Sequence, residues 1–285
     1  IEGYLAVPGG DGRPSYYSPS GKFRLNYYTT GGNAVPLADN NGNGIPDFVE
    51  NCGDYLDYSW QREIDELGFI GPPLSAQIPY MNIYLQALDG IYGYTQPTGQ
   101  PGMTQIVLDN DFVGFPPNDD PDGDALGAAK VTAAHEFKHS SQYAGSYWSE
   151  GGWVEVDATW AEEIVFPQTN DYHNYLPFGS PISSPATSLD SGGSGSYEDC
   201  VWQHWMSQTH GDQIIVDLWE HRRNHTNEPM MVSYETMLVQ YGSSVNDGWG
   251  DFVSWNYATG ARAVPPFGYA EAADYPAGSP QRQFY

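Results

Sequence analysis

Basic residues are scarce in this chain. Ten Lys and Arg stand against 36 Asp and Glu, a formal charge of −26, and the lysines are Lys22, Lys130 and Lys138 alone. A surface of that sign repels phosphate backbones, which excludes nucleic acid as a partner. It suits divalent-cation binding, solubility outside the cell, or a salty medium. No run of about 18 apolar residues occurs, so no membrane span is expected. A charged-then-apolar leader is also missing, and the first residue is Ile1 rather than Met. The chain therefore reads as the mature form of a secreted, extracellular protein whose leader has been removed. Cysteine is nearly absent. Cys52 and Cys200 could close one disulfide in an oxidising compartment or remain two buried thiols.

What is present centres on His135-Glu136-Phe137-Lys138-His139, an H-E-x-x-H pattern. Residues i and i+4 share a helix face, so both imidazoles can reach one metal ion. Glu136 then stands where it can take a proton from a metal-bound water. The run from Leu126 to His135 is small and apolar, as a deeply buried helix requires. Asp124 is a candidate N-cap ahead of it, and the helix is expected over about 125–144. Zinc in a hydrolase takes three protein ligands and keeps one position for water. In a metzincin the third ligand would be a His six residues after the second, with Gly at the third. Those positions hold Gly145 and Gln142, which excludes that class. A second helix is expected over about 153–165, with Glu155 and Glu162 seven residues apart on one face.

This second segment, Trp153 to Glu163, resembles the second zinc helix of the gluzincins. On that resemblance Glu155 is the third zinc ligand and Glu162 orients a ligand histidine from behind. Val154 and Val156 flank Glu155 where the family has Asn-Glu-Gly, and the gap from His139 is somewhat short. Glu150, Asp157 and Glu163 therefore stay open as alternatives. The patterns H-E-F-x-H-x-x-Q-Y and W-x-E-x-x-A-T-W-x-E-E together resemble a group of secreted bacterial zinc metalloproteases. The likeness also takes in Gly21 to Thr30, an Asp/Asn loop from Asp39 to Glu50, Asp109 to Asp111, and Trp255 to Gly260. It covers about residues 20–262. It implies an α+β, zincin-like catalytic domain over 1–262, with a sheet-containing lobe over about 20–145 and a mainly helical lobe over about 146–262. It implies a secreted zinc endopeptidase acting on peptide or protein substrates, with Glu136 as general base. Tyr197, which opens a helix after a glycine-rich stretch, resembles the catalytic tyrosine of the aminopeptidase branch and is the candidate oxyanion donor. His173, His204 and His210 are alternative donors.

The stretch Asp39-Asn-Asn41-Gly-Asn43-Gly44-Ile45-Pro-Asp47-Phe-Val-Glu50 fits a calcium loop. Asp39, Asn41, Asn43, Asp47 and Glu50 occupy ligand positions 1, 3, 5, 9 and 12, and Ile45 supplies a carbonyl. Gly44 permits the sharp turn. The competing reading is an Asx-rich turn that caps the helix beginning near Asp47. The acidic stretch 118–124 lacks clean ligand spacing and reads as a solvated loop.

Phe23, Leu25 and Tyr27 alternate as in a strand. Helical spacing recurs from Phe48 to Leu67. Strands are expected at 78–85 and 105–108, a long loop over 167–195, and helices at about 197–210, 212–223, 231–241 and 247–258. Gly211, Gly242 and Gly260 stand at the ends of three of these helices. Residues 263–285 carry four prolines and are expected to be an extended tail. The Tyr-, Gly- and Pro-rich composition also admits a second function, a non-catalytic surface or filament-forming subunit that self-associates through its terminal segments. An intact Glu136 weighs against it, since a scaffold has no use for a base.

Overall fold

A computed structural model describes residues 7–8, 12–145, 151–189 and 196–278. The fold is α+β. Among the described residues six strands form one mixed sheet: β1 (Val7–Pro8), β2 (Pro14–Tyr17), β3 (Phe23–Asn26), β4 (Met81–Leu85), β5 (Gly93–Pro97) and β6 (Thr104–Leu108). Their order is β1-β2-β3-β4-β6-β5. β3, β4 and β6 run parallel, and the flanking strands pair antiparallel. One face of the parallel centre is apolar and covered: Phe23, Leu25, Ile83, Leu85, Ile106 and Leu108 are all fully buried, whereas Arg24, Asn82 and Tyr84 on the other face are only partly buried.

Two helices cover it. α1 (Asp47–Trp60) continues as a π-helical turn, Gln61–Glu66, so the helical pattern expected to Leu67 is one rod with a changed pitch. α2 (Asp124–Gly145) is buried along most of its length, and Gly127, Ala128, Ala129, Ala133 and Ala134 let it lie deep. Asp124 is the first residue of α2 rather than its cap, and its carboxylate accepts from the Asn118 N–H. Phe23 of the sheet meets Phe137 of α2 edge-on at 5.7 Å, and Trp60 of α1 lies 5.5 Å from Phe137. One aromatic cluster thus ties the sheet to both helices. Truncating Phe137 would cost about 3–5 kcal/mol.

β5 is the outer strand, and its polar sequence, Gly-Tyr-Thr-Gln-Pro, hid it from sequence patterning. It lies close over α2. A Cβ on Gly93 would stand 2.8 Å from Thr132 Cγ2 and 2.9 Å from the Val107 oxygen, so only glycine fits.

α3 (Gly151–Val165), α4 (Val201–His210), α5 (Gln213–Asn224), α6 (Met230–Gln240) and α7 (Val245–Tyr257) complete the helices, with a short 3₁₀ turn, Tyr197–Cys200, leading into α4. The chain divides into two units by its contacts: the described residues of Ile1–Ser146 with Ala161–Asp171, and those of Tyr147–Trp160 with Tyr172–Tyr285. The division falls within the single helix α3. The second unit packs around aromatics. Trp202 meets Tyr234 at 5.7 Å and Phe252 at 5.1 Å, both edge-on. Residues 263–278, the described part of the expected tail, fold through turns instead of running extended. Tyr269 and Tyr275 are buried, and the Tyr269 hydroxyl donates to Asn256 Oδ1 at 2.6 Å. Among the described residues no helix is long and apolar enough to cross a membrane.

Candidate metal centre

α2 sets His135 and His139 one turn apart, and both rings are buried, at 8% and 5% exposure. Their Nε2 atoms face each other at 3.1 Å. Two nitrogens on one tetrahedral zinc, at the usual bond length, would stand about 3.3 Å apart. The other ring nitrogens are occupied. His135 Nδ1 donates to Glu162 Oε1 at 2.7 Å, and His139 Nδ1 donates to Gln142 Oε1 at 2.9 Å. With the proton on Nδ1, each Nε2 lone pair points to the shared space.

Glu155 brings a carboxylate to the same place. It precedes Glu162 by two turns of α3 and therefore shares its face. One ligand atom from each of His135, His139 and Glu155 lies within 4.8 Å of the others. Among the described residues this is the one group of three or more His, Cys, Asp or Glu gathered closely enough to hold a metal ion. Two imidazoles and a carboxylate leave a fourth tetrahedral position open. The donor set fits a divalent ion of borderline softness without fixing which one. Of the competing acids, Asp157 is buried elsewhere on α3, Glu163 is outside the group, and Glu150 lies outside the described residues.

Glu136 is also buried, at 5% exposure. Thr95 Oγ1 on β5 lies 2.8 Å from Glu136 Oε2 and 2.8 Å from the Glu136 main-chain oxygen. Asp171 feels the charge of Glu162, and its pKa is pushed up to about 7 by burial and then by that charge. Hydrogen bonds from Asn118 and Tyr92 oppose that shift. Three contributors were thus missed in the sequence. Gln142 carried a signal, being three residues from His139 and on its face. Thr95 and Asp171 carried none, since tertiary packing alone brings them in.

Tyr197 belongs to the second unit, in the 3₁₀ turn before α4, with its ring 5.2 Å from Tyr175. His204 is fully buried beside Tyr172, and burial pushes its pKa down to about 3, so it carries no charge near neutral pH. His173 pairs with Glu271 at 3.4 Å, and His210 lies beside Trp205. Cys52 and Cys200 form no disulfide. Each is a buried thiol in its own unit, and burial pushes the Cys52 thiol up.

The Asp39–Glu50 loop is folded onto its own side chains. Gly42 and Asn43 donate main-chain N–H groups to Asp39 Oδ1 at 2.8 and 3.1 Å, and Gly44, at φ +86°, donates to Oδ2 at 2.9 Å. Asn43 Oδ1 accepts from Ile45 at 2.8 Å. Asn41 and Asn43 reach Glu50 at 2.8 and 2.7 Å, whereas Asp47 accepts from Asn40. The acidic stretch 118–124 holds its own cation: Lys130 Nζ lies 2.8 Å from Asp120 and 2.7 Å from Asp122.

Comparison with protein-family models, with curated proteins and with solved structures finds no match to this chain.

Proposed function

We propose that this chain is a secreted zinc-dependent endopeptidase with a zincin-like fold. The observation that carries the reading is the pair of inward Nε2 atoms, 3.1 Å apart on the helix that also bears Glu136, gathered with Glu155 of α3. Zinc bound there would lower the pKa of a coordinated water and polarise the scissile carbonyl. Glu136 would take a proton from the attacking water as its oxygen bonds to the carbonyl carbon, and would return that proton to the leaving amine as the C–N bond breaks. Glu162 and Gln142 hold the two imidazoles in the tautomer that ligation needs. Tyr197 is our candidate for the hydrogen bond to the developing oxyanion.

An endopeptidase must hold a chain on both sides of the cut. β5 is the outer strand of the sheet and packs on Glu136, so its backbone offers an extended peptide a strand to pair with. A purely structural metal site would make no use of a carboxylate at Glu136. We read the Asp39–Glu50 loop as a calcium site that ties the sheet to α1, because its glycine turn and inward main-chain N–H groups gather Asp39, Asn41, Asn43 and Glu50.

The test is incubation of the zinc-loaded protein with a mixed peptide library beside Glu136→Gln, read by mass spectrometry. Internal cleavage by the parent alone supports the reading. Intact peptides with both proteins, zinc being bound, would discard it.

A further inference from the structure

We propose that Thr95 is a positioning residue for Glu136, fixing its carboxylate from the outer strand β5. The inference rests on the endopeptidase reading only in naming Glu136 the base. Residues 93 and 95 point to one face of β5, as alternation requires, and that face meets α2 at Glu136. A Cβ at Gly93 would come within 3.2 Å of Glu136 Cγ. The missing side chain is therefore what lets the strand lie close enough for the next inward residue to reach the carboxylate. That residue is Thr95, whose Oγ1 is 2.8 Å from Oε2. The same Oγ1 is 2.8 Å from the main-chain oxygen of Glu136, so its single proton is shared between the backbone and the side-chain end of one residue.

A glutamate has three side-chain torsions to restrain, and packing against its inner part does not by itself fix the outer one. A hydrogen bond to a terminal carboxyl oxygen is directional, so it fixes the outer part. Register secures the hydroxyl: Thr95 pairs with Ile106 across the antiparallel ladder, and Gly93 pairs with Leu108. A threonine serving the strand alone would be replaceable by valine, which has the same shape and equal fitness for a strand.

The experiment compares Thr95→Val and Thr95→Ser with the parent, all as the full zinc-loaded chain, by crystallography and by hydrolysis of a peptide found in the library screen. In Thr95→Val the Glu136 carboxylate should move by more than about 1 Å or split between rotamers. The kcat should fall about 10- to 100-fold, with KM within about twofold and zinc stoichiometry unchanged. Thr95→Ser should keep the carboxylate in place and recover kcat to within about threefold. An unmoved Glu136 in Thr95→Val, or an unchanged kcat, overturns the assignment. If the parent cleaves no peptide, the endopeptidase reading falls, and the crystallographic comparison still decides the role of Thr95.

Discussion

Glu162 accepts a 2.7 Å hydrogen bond from His135 Nδ1, while the matching bond of His139 goes to the neutral amide of Gln142 at 2.9 Å. The two imidazoles of one site are therefore held by unlike partners. The carboxylate makes its histidine the more basic donor, and the amide supplies orientation alone. Glu162→Gln should weaken zinc binding by about 10- to 100-fold, and Gln142→Leu by about tenfold or less. Competition titration against a chelator of known affinity measures both. Equal affinity in the parent and in Glu162→Gln would remove this carboxylate from the account.

Glu155 is expected to be the oxygen ligand. Glu155→Ala should lose stoichiometric zinc in that titration, since two histidines alone hold zinc loosely. Asp157→Asn and Glu163→Gln should retain it. Retention by Glu155→Ala, with loss in either of the others, would move the third ligand along α3.

Asp171 gives the fold a pH dependence. Its carboxyl is raised in the folded protein, to about 7, chiefly by burial. The folded state therefore binds the proton more tightly than the unfolded chain. Stability from this group is full below the ordinary Asp value near 3.8 and is lost as pH rises toward about 7. Asp171→Asn should be more stable than the parent at pH 8, with the advantage shrinking as pH falls toward 4. Urea denaturation of the zinc-free proteins at several pH values measures it. A parent-to-variant difference independent of pH would show that Asp171 titrates normally.

Much of this site was legible because its signals are local. The spacing of His135 and His139, and of Glu155 and Glu162, needs only helix geometry, and the alanines ahead of His135 announce a buried helix. Gly211 stops α4 at a φ of +88°, as its place in the sequence led us to expect. The long helical pattern up to Leu67 was also readable, although its change to π-helical pitch was not. β2 and β5 escaped notice because each is short and partly polar and draws its pairing from the backbone. The tail misled through its prolines: the sequence cannot show that Tyr269 and Tyr275 have a core to enter. Gln142 was readable as a neighbour of His139 on the helix. Thr95 was not, since it comes from another element.

Calcium should stabilise the parent through the Asp39–Glu50 loop. At 100 times its dissociation constant the gain is about 2.7 kcal/mol. A thermal melt with calcium should therefore lie above one with a calcium chelator, and Asp39→Ala should abolish the difference. Coincident melts in the parent would leave the loop as a hydrogen-bonded turn that leads into α1.

The most direct test is a crystal of the zinc-loaded protein with diffraction recorded on both sides of the zinc absorption edge. The expected result is one anomalous peak about 2.0–2.2 Å from His135 Nε2, His139 Nε2 and a Glu155 oxygen, with a water completing the tetrahedron. A peak held by other residues, or none between these three, would contradict the metal centre and the hydrolytic function built on it.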